Sequence, residues 1–384
     1  MAKAVNKRLL QIGSTLYSVD IEKDGSVYSS FVLKAEKLST ASPSLISLPS
    51  ANSELIILDS VMSGIGRKTQ ADFSTQVIKP ILEKLGAEHK IIKTKSSTSI
   101  AEFAREIELS KSYTIIFLSG DTSISEFLNH IPAQNSNSKY ALNIYPIPMG
   151  TGNAWASSLN LKCPVESFQK FLKNDLIASE FPLYRASFPN GYSTIFFIIL
   201  SIGFHANLLH LCNHSKYKVM GVERFKAASA QIFKNYDLKY KVSIPNRISG
   251  CYAYFAIINT PNLEPTYKPS PSSDPLTSAL HLLGFESSLE SSELIKRITR
   301  GRTAQKGDDI TDTGVIYEKL EKDFDIVVEH SPSTSDRTKF EICCDGQLLN
   351  LLDMQGTEGS FDGTIKVSFL QDYSPFNLKV LSPA

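Results

Sequence analysis

From Glu54 onward the apolar positions change rhythm at short intervals. Leu55-Ile56-Ile57-Leu58 is a continuous apolar run, the pattern of a strand buried on both faces. Residues 71–85 then space Phe73, Val77, Ile78, Ile81, Leu82 and Leu85 near the 3.6-residue period of a helix, with Gly86 as its stop. The alternation repeats: strand at 89–93, helix at 99–109, strand at 113–118, helix over 125–130, strand at 144–148, helix from 154. Strands and helices in turn, joined by short connections, predict a parallel sheet covered on both faces. Ligands of such sheets bind at the carboxyl ends of the strands.

After about residue 181 the texture changes. Segments 195–200, 238–244, 252–258, 324–329, 340–344 and 364–370 read as strands separated by turns, with one helix near 222–233. The expected fold is therefore an α/β domain with a parallel sheet plus a second, β-rich antiparallel, sandwich-like domain. Residues 1–53 read as a weakly alternating β segment ending in a Ser-rich linker, 54–180 as the α/β domain and 181–384 as the β-rich domain, with the last strand able to return to the first domain. Residues 262–275, rich in Pro and Ser, read as a mobile loop. The longest apolar run, 195–204, is half the length a spanning helix needs and reads as a buried strand. Any membrane contact is expected to be peripheral.

Composition narrows the function. The chain has 384 residues, 40 basic against 39 acidic, and a net charge of +1, which argues against a nucleic-acid binder. Five cysteines form no CxxC pair and read as reduced thiols of a cytoplasmic protein. The N-terminal stretch carries no apolar core of signal-peptide length.

Three turns carry the candidate chemistry: Ser63-Gly64-Ile65-Gly66-Arg67-Lys68, Ser119-Gly120-Asp121-Thr122, and Gly150-Thr151-Gly152-Asn153. Each follows a predicted strand and opens a helix. Glycine there permits positive φ and close backbone approach, and a helix N-terminus offers N–H groups to an anion. Three such turns at one edge of a sheet point to a polyphosphate site. The P-loop template fails, because Arg67 stands where glycine must precede the lysine, and the dinucleotide fingerprint fails at Thr69. Asp121 also fits a plain helix cap. Lys218 and Arg224, six apart, share no helical face, so a bent segment is needed for both to reach phosphate. His205, His210 and His214 lack metal-site spacing, and Trp155 reads as core.

These blocks resemble the diacylglycerol kinase and sphingosine kinase superfamily, closest to its sphingoid-base kinase branch. Ser119-Gly120-Asp121 with Glu126 and Asn129 is similar to the SGDG…E…N block, and IPMGTGNAWASSL to PxGTGNAxAxSL. SVMSGIGRK resembles NPxSGxGK, and the loop from Thr94 resembles TxxxxHA. GFHANL…KYKVMGVERF resembles GFxAD…KYRxxGxxRF, and Cys344-Asp345-Gly346-Gln347 resembles the terminal DGE. The resemblance implies ATP-dependent, Mg²⁺-assisted phosphorylation of a lipid alcohol, with a sphingoid base as the first substrate and diacylglycerol as the second. It implies Asp121 as general base. Ser60, Ser63, Gly64, the loop from Thr94 to Thr98, Glu126, Gly150, Thr151 and Gly152 would hold the nucleotide. Lys218 and Arg224 would neutralise its phosphates, and Asp345 with Gly346 would close the site. Ser119, Gly120, Thr122 and Asn207 would line the substrate. The departures are Ser60 and Val61 for Asn-Pro, Thr122 for Gly, Ser99 for His, Asn207 for an acid and Gln347 for Glu. Two alternatives stand beside the kinase: a catalytically silent relative that binds nucleotide or lipid, and an NAD-kinase-like phosphotransferase. Oligomeric state is left open.

Overall fold

The computed structural model describes residues 4–25, 27–41, 46, 48, 53–61, 67–134, 138–150, 152–173, 175–329, 336–357 and 360–383. Two compact units are present: Met1–Phe181 with Asp372–Ala384, and Pro182–Gln371. The β-rich half thus ends at 371, not at the chain's last residues.

The first unit opens with an antiparallel meander of β1 (Val5–Ile12), β2 (Thr15–Asp24) and β3 (Val27–Lys37). Leu9, Leu10, Val19, Ile21 and Phe31 are buried. Phe31 packs 4.9 Å from Phe73, whose ring meets Phe168 edge-on. The meander is therefore a layer of this unit.

The α/β pattern follows as β4 (Glu54–Asp59), α1 (Lys79–Lys84), β5 (Lys90–Lys93), α2 (Ser99–Glu106), β6 (Tyr113–Ser119), α3 (Asp121–His130), β7 (Ala141–Pro148), α4 (Ala154–Ser158), α5 (Pro164–Lys173) and β8 (Leu176–Glu180). The single helix expected over 71–85 is a 3₁₀ turn at Thr69–Ala71, a π turn at Ser74–Ile78 and then α1. Pro80 has no N–H for the carbonyl four residues back, and the preceding turn widens so that Lys79 bonds Ser74 instead. The apolar stripe survives: Phe73, Val77, Ile78, Ile81 and Leu82 are buried.

The second unit contains β9 (Leu183–Ser187), β10 (Ser193–Phe196), β11 (Ile199–Gly203), α6 (Phe204–Cys212), α7 (Ser215–Lys218), α8 (Arg224–Asn235), β12 (Tyr240–Ile244), β13 (Ile248–Ile258), β14 (Leu280–Glu286), α9 (Ser291–Thr299), β15 (Val315–Leu320), β16 (Phe324–Glu329), β17 (Glu341–Cys344), β18 (Gln347–Asn350) and β19 (Thr364–Leu370). Its strands form one antiparallel sheet around a core that includes Leu200, Ile202, Val242, Phe255, Ile257 and Leu282. The apolar run at 195–204 is two strands and a helix start rather than one strand. It breaks at Phe197-Ile198, whose amides turn to the Asp345 carboxylate. The stretch at 262–275 is held rather than loose. Ser270 and Ser273 are buried and joined by a 2.6 Å hydrogen bond, and Tyr317 closes on Ser270 at 2.9 Å.

The chain then returns. β20 (Asn377–Pro383) lies parallel to β7 and antiparallel to β8, giving the first unit a sheet of order β5-β4-β6-β7-β20-β8. From β4 the chain first goes outward to β5 and then crosses to β6 on the other side. That reversal makes the carboxyl ends of β4 and β6 a topological switch point, where ligands of open α/β sheets bind.

Candidate functional site

Several residues singled out by the sequence stand at this edge. Ser60 follows β4, is buried, and donates its backbone N–H to Leu118 O of β6 at 3.2 Å. Thr94 follows β5, is buried, and bonds Asp59 O at 3.0 Å. Thr98 is the exposed N-cap residue of α2, with its hydroxyl on Glu102 at 2.7 Å. Ser119 ends β6, and its carbonyl accepts from the amides of both Met149 and Gly150. Ser63, Gly64 and Thr151 lie outside the described residues.

The second and third turns touch. A Cβ built on Gly150 would lie 2.4 Å from Gly120 Cα and 2.7 Å from Gly120 N. Neither glycine has positive φ; Asn153 of the third turn is left-handed, at φ 51°. Of the two roles expected of glycine in these turns, Gly120 and Gly150 serve close backbone approach. Asn153 completes the turn with reciprocal bonds to Gly150: its Oδ1 accepts from Gly150 N at 2.9 Å and its Nδ2 donates to Gly150 O at 2.6 Å. Gly152 lies in the bend just before it. Thr122 sits at the second position of α3, exposed and with ordinary helical backbone, so its branched side chain meets no strain there.

Asp121 opens α3. Its Oδ2 accepts from Ala154 N at 2.6 Å and its Oδ1 from Trp155 N at 3.1 Å. The first amides of α4, expected to be open to phosphate, are thus occupied by the protein's own carboxylate. A fixed anion at a helix N-terminus is favourable. Burial pushes the Asp121 carboxyl up to about 6, against the opposite pull of the Trp155 and Ala154 amides. Glu126, half-buried on the same helix, is also raised by burial, with the Ala101 amide of α2 opposing. The two acids of α3 therefore brace the starts of two neighbouring helices. Trp155 is buried and stacks on Phe181 at 4.3 Å.

Sequence reasoning missed Arg67 and Asp59. The Arg67 guanidinium bonds Asp59 Oδ1 at 2.5 Å, Ser60 O at 3.0 Å and Leu118 O at 2.6 Å, tying β4 to β6 at the switch point. The Asp59 side chain is fully buried, and burial raises its carboxyl while Arg67 opposes. An Asp at the end of an apolar run, eight residues before an Arg, carried no recognisable signal.

The remaining predicted residues belong to the second unit. Asp345 and Gly346 form the two-residue turn between β17 and β18, with φ 47° and 86°. These are the left-handed positions of a type I′ hairpin, for which Asp-Gly is a strong signal. The Asp345 carboxylate accepts from the amides of Phe197, Ile198 and Ile199 at 2.7–3.0 Å. Gln347 accepts from Thr194 and donates to Tyr192. Asn207 is fully buried. Its amide donates to Thr338 O and Glu341 Oε2, and its oxygen accepts from Tyr240 Oη at 2.5 Å. Burial pushes Glu341 up to about 7, against the Asn207 bond. Lys218 is exposed at the end of α7, and Arg224 opens α8 with its guanidinium 5.0 Å from the Phe225 ring centroid. A 3₁₀ turn at Gly221–Glu223 bends the chain between them.

The described residues contain no group of three or more His, Cys, Asp or Glu able to hold a metal ion. The acids at the sheet edge are engaged, Asp59 by Arg67, Asp72 by Lys93 and Asp121 by amides. This donor set does not fit an ion caged by protein alone. Among the described residues no helix is long and apolar enough to cross a membrane.

A comparison with curated proteins found no match. In fold the chain is similar to the crystal structure of a diacylglycerol kinase from Bacillus anthracis str. Sterne, with a TM-score of 0.57 and 15% identity, covering 87% of this chain and 98% of that one. A second structure from the same organism, described as a candidate diacylglycerol kinase, has a TM-score of 0.56 and 17% identity, covering 86% and 97%. Residues 60–179, which hold the two touching turns and Asp121, match the family model of the Diacylglycerol kinase catalytic domain.

Proposed function

We propose that this protein is an ATP-dependent lipid kinase. The observation that carries the reading is the backbone contact of Gly120 with Gly150, which sets Asp121 beside two turns at the carboxyl edge of the sheet. Phosphoryl transfer is catalysed mainly by positioning and charge stabilisation. The lipid hydroxyl oxygen bonds the γ-phosphorus, the bond to the β-phosphate oxygen breaks, ADP leaves, and the hydroxyl proton passes to Asp121. Amides of Ala154 and Trp155 hold the Asp121 carboxylate in place, and a carboxyl near 6 is mostly ionised at neutral pH and well matched to accept a proton. Ser60, Thr94, Thr98, Glu126, Gly150 and Gly152 are the described residues of the first unit assigned to the nucleotide. Divalent ions of this class arrive largely with the phosphates.

Asn207 bears on substrate. It is a neutral amide sealed into a network with Tyr240 and Glu341, so it offers no acid to the amine of a sphingoid base. This favours diacylglycerol over a sphingoid base.

The second reading is a nucleotide-binding protein without transfer. It is favoured by one observation: both Asp121 oxygens are already engaged by α4 amides. Labelled ATP, Mg²⁺ and a lipid panel, with nucleotide binding measured alongside, separate the two. Transfer to lipid that falls about 10²- to 10⁴-fold in Asp121→Asn supports the kinase. Binding without transfer supports the second reading, and transfer to NAD alone refutes both.

A further inference from the structure

Trp155 joins the carboxylate of Asp121 to the packing of the first unit. Its backbone N–H donates to Asp121 Oδ1, beside the Ala154 N–H on Oδ2. Its indole is fully buried and lies flat on Phe181, with ring centroids 4.3 Å apart and planes 12° apart. Phe181 is buried as well and ends the Met1–Phe181 segment of that unit. The block similar to PxGTGNAxAxSL leaves the Trp155 position open, so the ring is a feature of this chain.

α4 has five residues, far too few to be stable alone. Its direction is set from outside. Asn153 fixes its entry through the bonds to Gly150, and Leu161 N closes its exit on Ala156 O at 2.8 Å. The other buried residues of α4, Ala154, Ala156 and Ser157, are small, so the indole is its large anchor. A tilt of the ring carries the Trp155 N–H, and the Ala154 N–H next to it, off the carboxylate.

We propose that the stack of Trp155 on Phe181 positions Asp121, by holding the first two amides of α4 against its carboxylate. An aliphatic neighbour would fill the volume but set no ring plane. Burial opposes ionisation of Asp121, and the amides of Trp155, Ala154 and Asp121 itself favour it; among the described residues no charged side chain acts on it. Glu126, the other acid of α3, is faced by His130 and by Arg105 of α2. Losing the α4 amides leaves burial less opposed and raises the pH at which the carboxyl ionises. That Asp121 then serves transfer rests on the kinase reading; its positioning by the stack does not.

The test uses the full chain without nucleotide, with Trp155, the single tryptophan, as probe. Its fluorescence should titrate with an inflection near 6 that Asp121→Asn abolishes. Phe181→Leu should move that inflection up by about half a pH unit or more, and Phe181→Tyr, which keeps the ring, should leave it in place. Phe181→Met, whose flexible side chain fills the gap, also removes the ring and must shift it the same way should Phe181→Leu not fold. A purely structural role would lower the urea midpoint equally from pH 5 to 8 and leave the inflection unmoved. With ATP, Mg²⁺ and diacylglycerol, the inflection of kcat should move with that of fluorescence while KM for ATP holds. No titration in the wild type, one that survives Asp121→Asn, or an inflection unmoved or lowered when the Phe181 ring is removed overturns the proposal. A shifted titration without lipid phosphorylation upholds the positioning and refutes the kinase reading alone.

Discussion

Gly150→Ala tests the contact on which the functional reading stands. The added methyl would lie 2.4 Å from Gly120 Cα, 2.7 Å from Gly120 N and 3.1 Å from Asn153 Oδ1. Two of those three neighbours are backbone, so no rotamer change relieves them and one turn must move by about an ångström. Overpacking of this kind costs about 1–3 kcal/mol. Gly150 N also bonds Ser119 O and Asn153 Oδ1, and losing one of these adds about 1 kcal/mol. The expected loss is about 2–4 kcal/mol, roughly 30-fold or more in the folded-to-unfolded ratio. Trp155, the single tryptophan of the chain, is buried in the first unit, so its fluorescence in a urea titration reports that unit alone. ATP affinity should fall with the midpoint. Gly120→Ala is the control: its methyl would meet Gly150 Cα at 3.4 Å, ordinary contact, and should cost under about 1 kcal/mol. A Gly150→Ala midpoint equal to wild type, or a larger loss in Gly120→Ala, would refute the reasoning.

Arg67→Ala should destabilise the first unit by about 3–5 kcal/mol, because it leaves Asp59 buried without its cation, and the same fluorescence titration measures it. Arg67→Lys should restore little of this, since an ammonium cannot span Asp59, Ser60 O and Leu118 O as the planar fork does. Transfer activity should rise with pH through an inflection near 6, as Asp121 ionises; a flat profile from pH 5 to 8 would count against Asp121 as base. Stability runs the other way for Glu341. Its folded carboxyl sits near 7, above the ordinary 4.5, so its stabilising share is full below about 4.5 and lost as pH rises through 7. Glu341→Gln, which keeps an acceptor for Asn207, should flatten that slope in urea midpoints taken between pH 5 and 8.

The layers were legible where the apolar period was clean. Leu55–Leu58 and the run through Tyr113–Leu118 announced β4 and β6, and the second and third turns fell at the ends of β6 and β7. What periodicity could not carry was which turn meets which. The Gly120–Gly150 contact depends on β6 and β7 being neighbours, a property of the whole sheet. At Asp345-Gly346 the local rule for a two-residue hairpin describes the backbone as it stands. The helix at 71–85 failed on one residue, Pro80, whose missing donor outweighs a correct apolar stripe.

Because β20 wedges between β7 and β8, the first sheet is assembled from pieces made at very different moments of synthesis. A ribosome must translate all of Pro182–Gln371 before the filling strand exists, roughly 10–40 s at ordinary elongation rates. During that interval β7 and β8 wait with open edges. The nascent chain thus completes its inserted half before the half it began with.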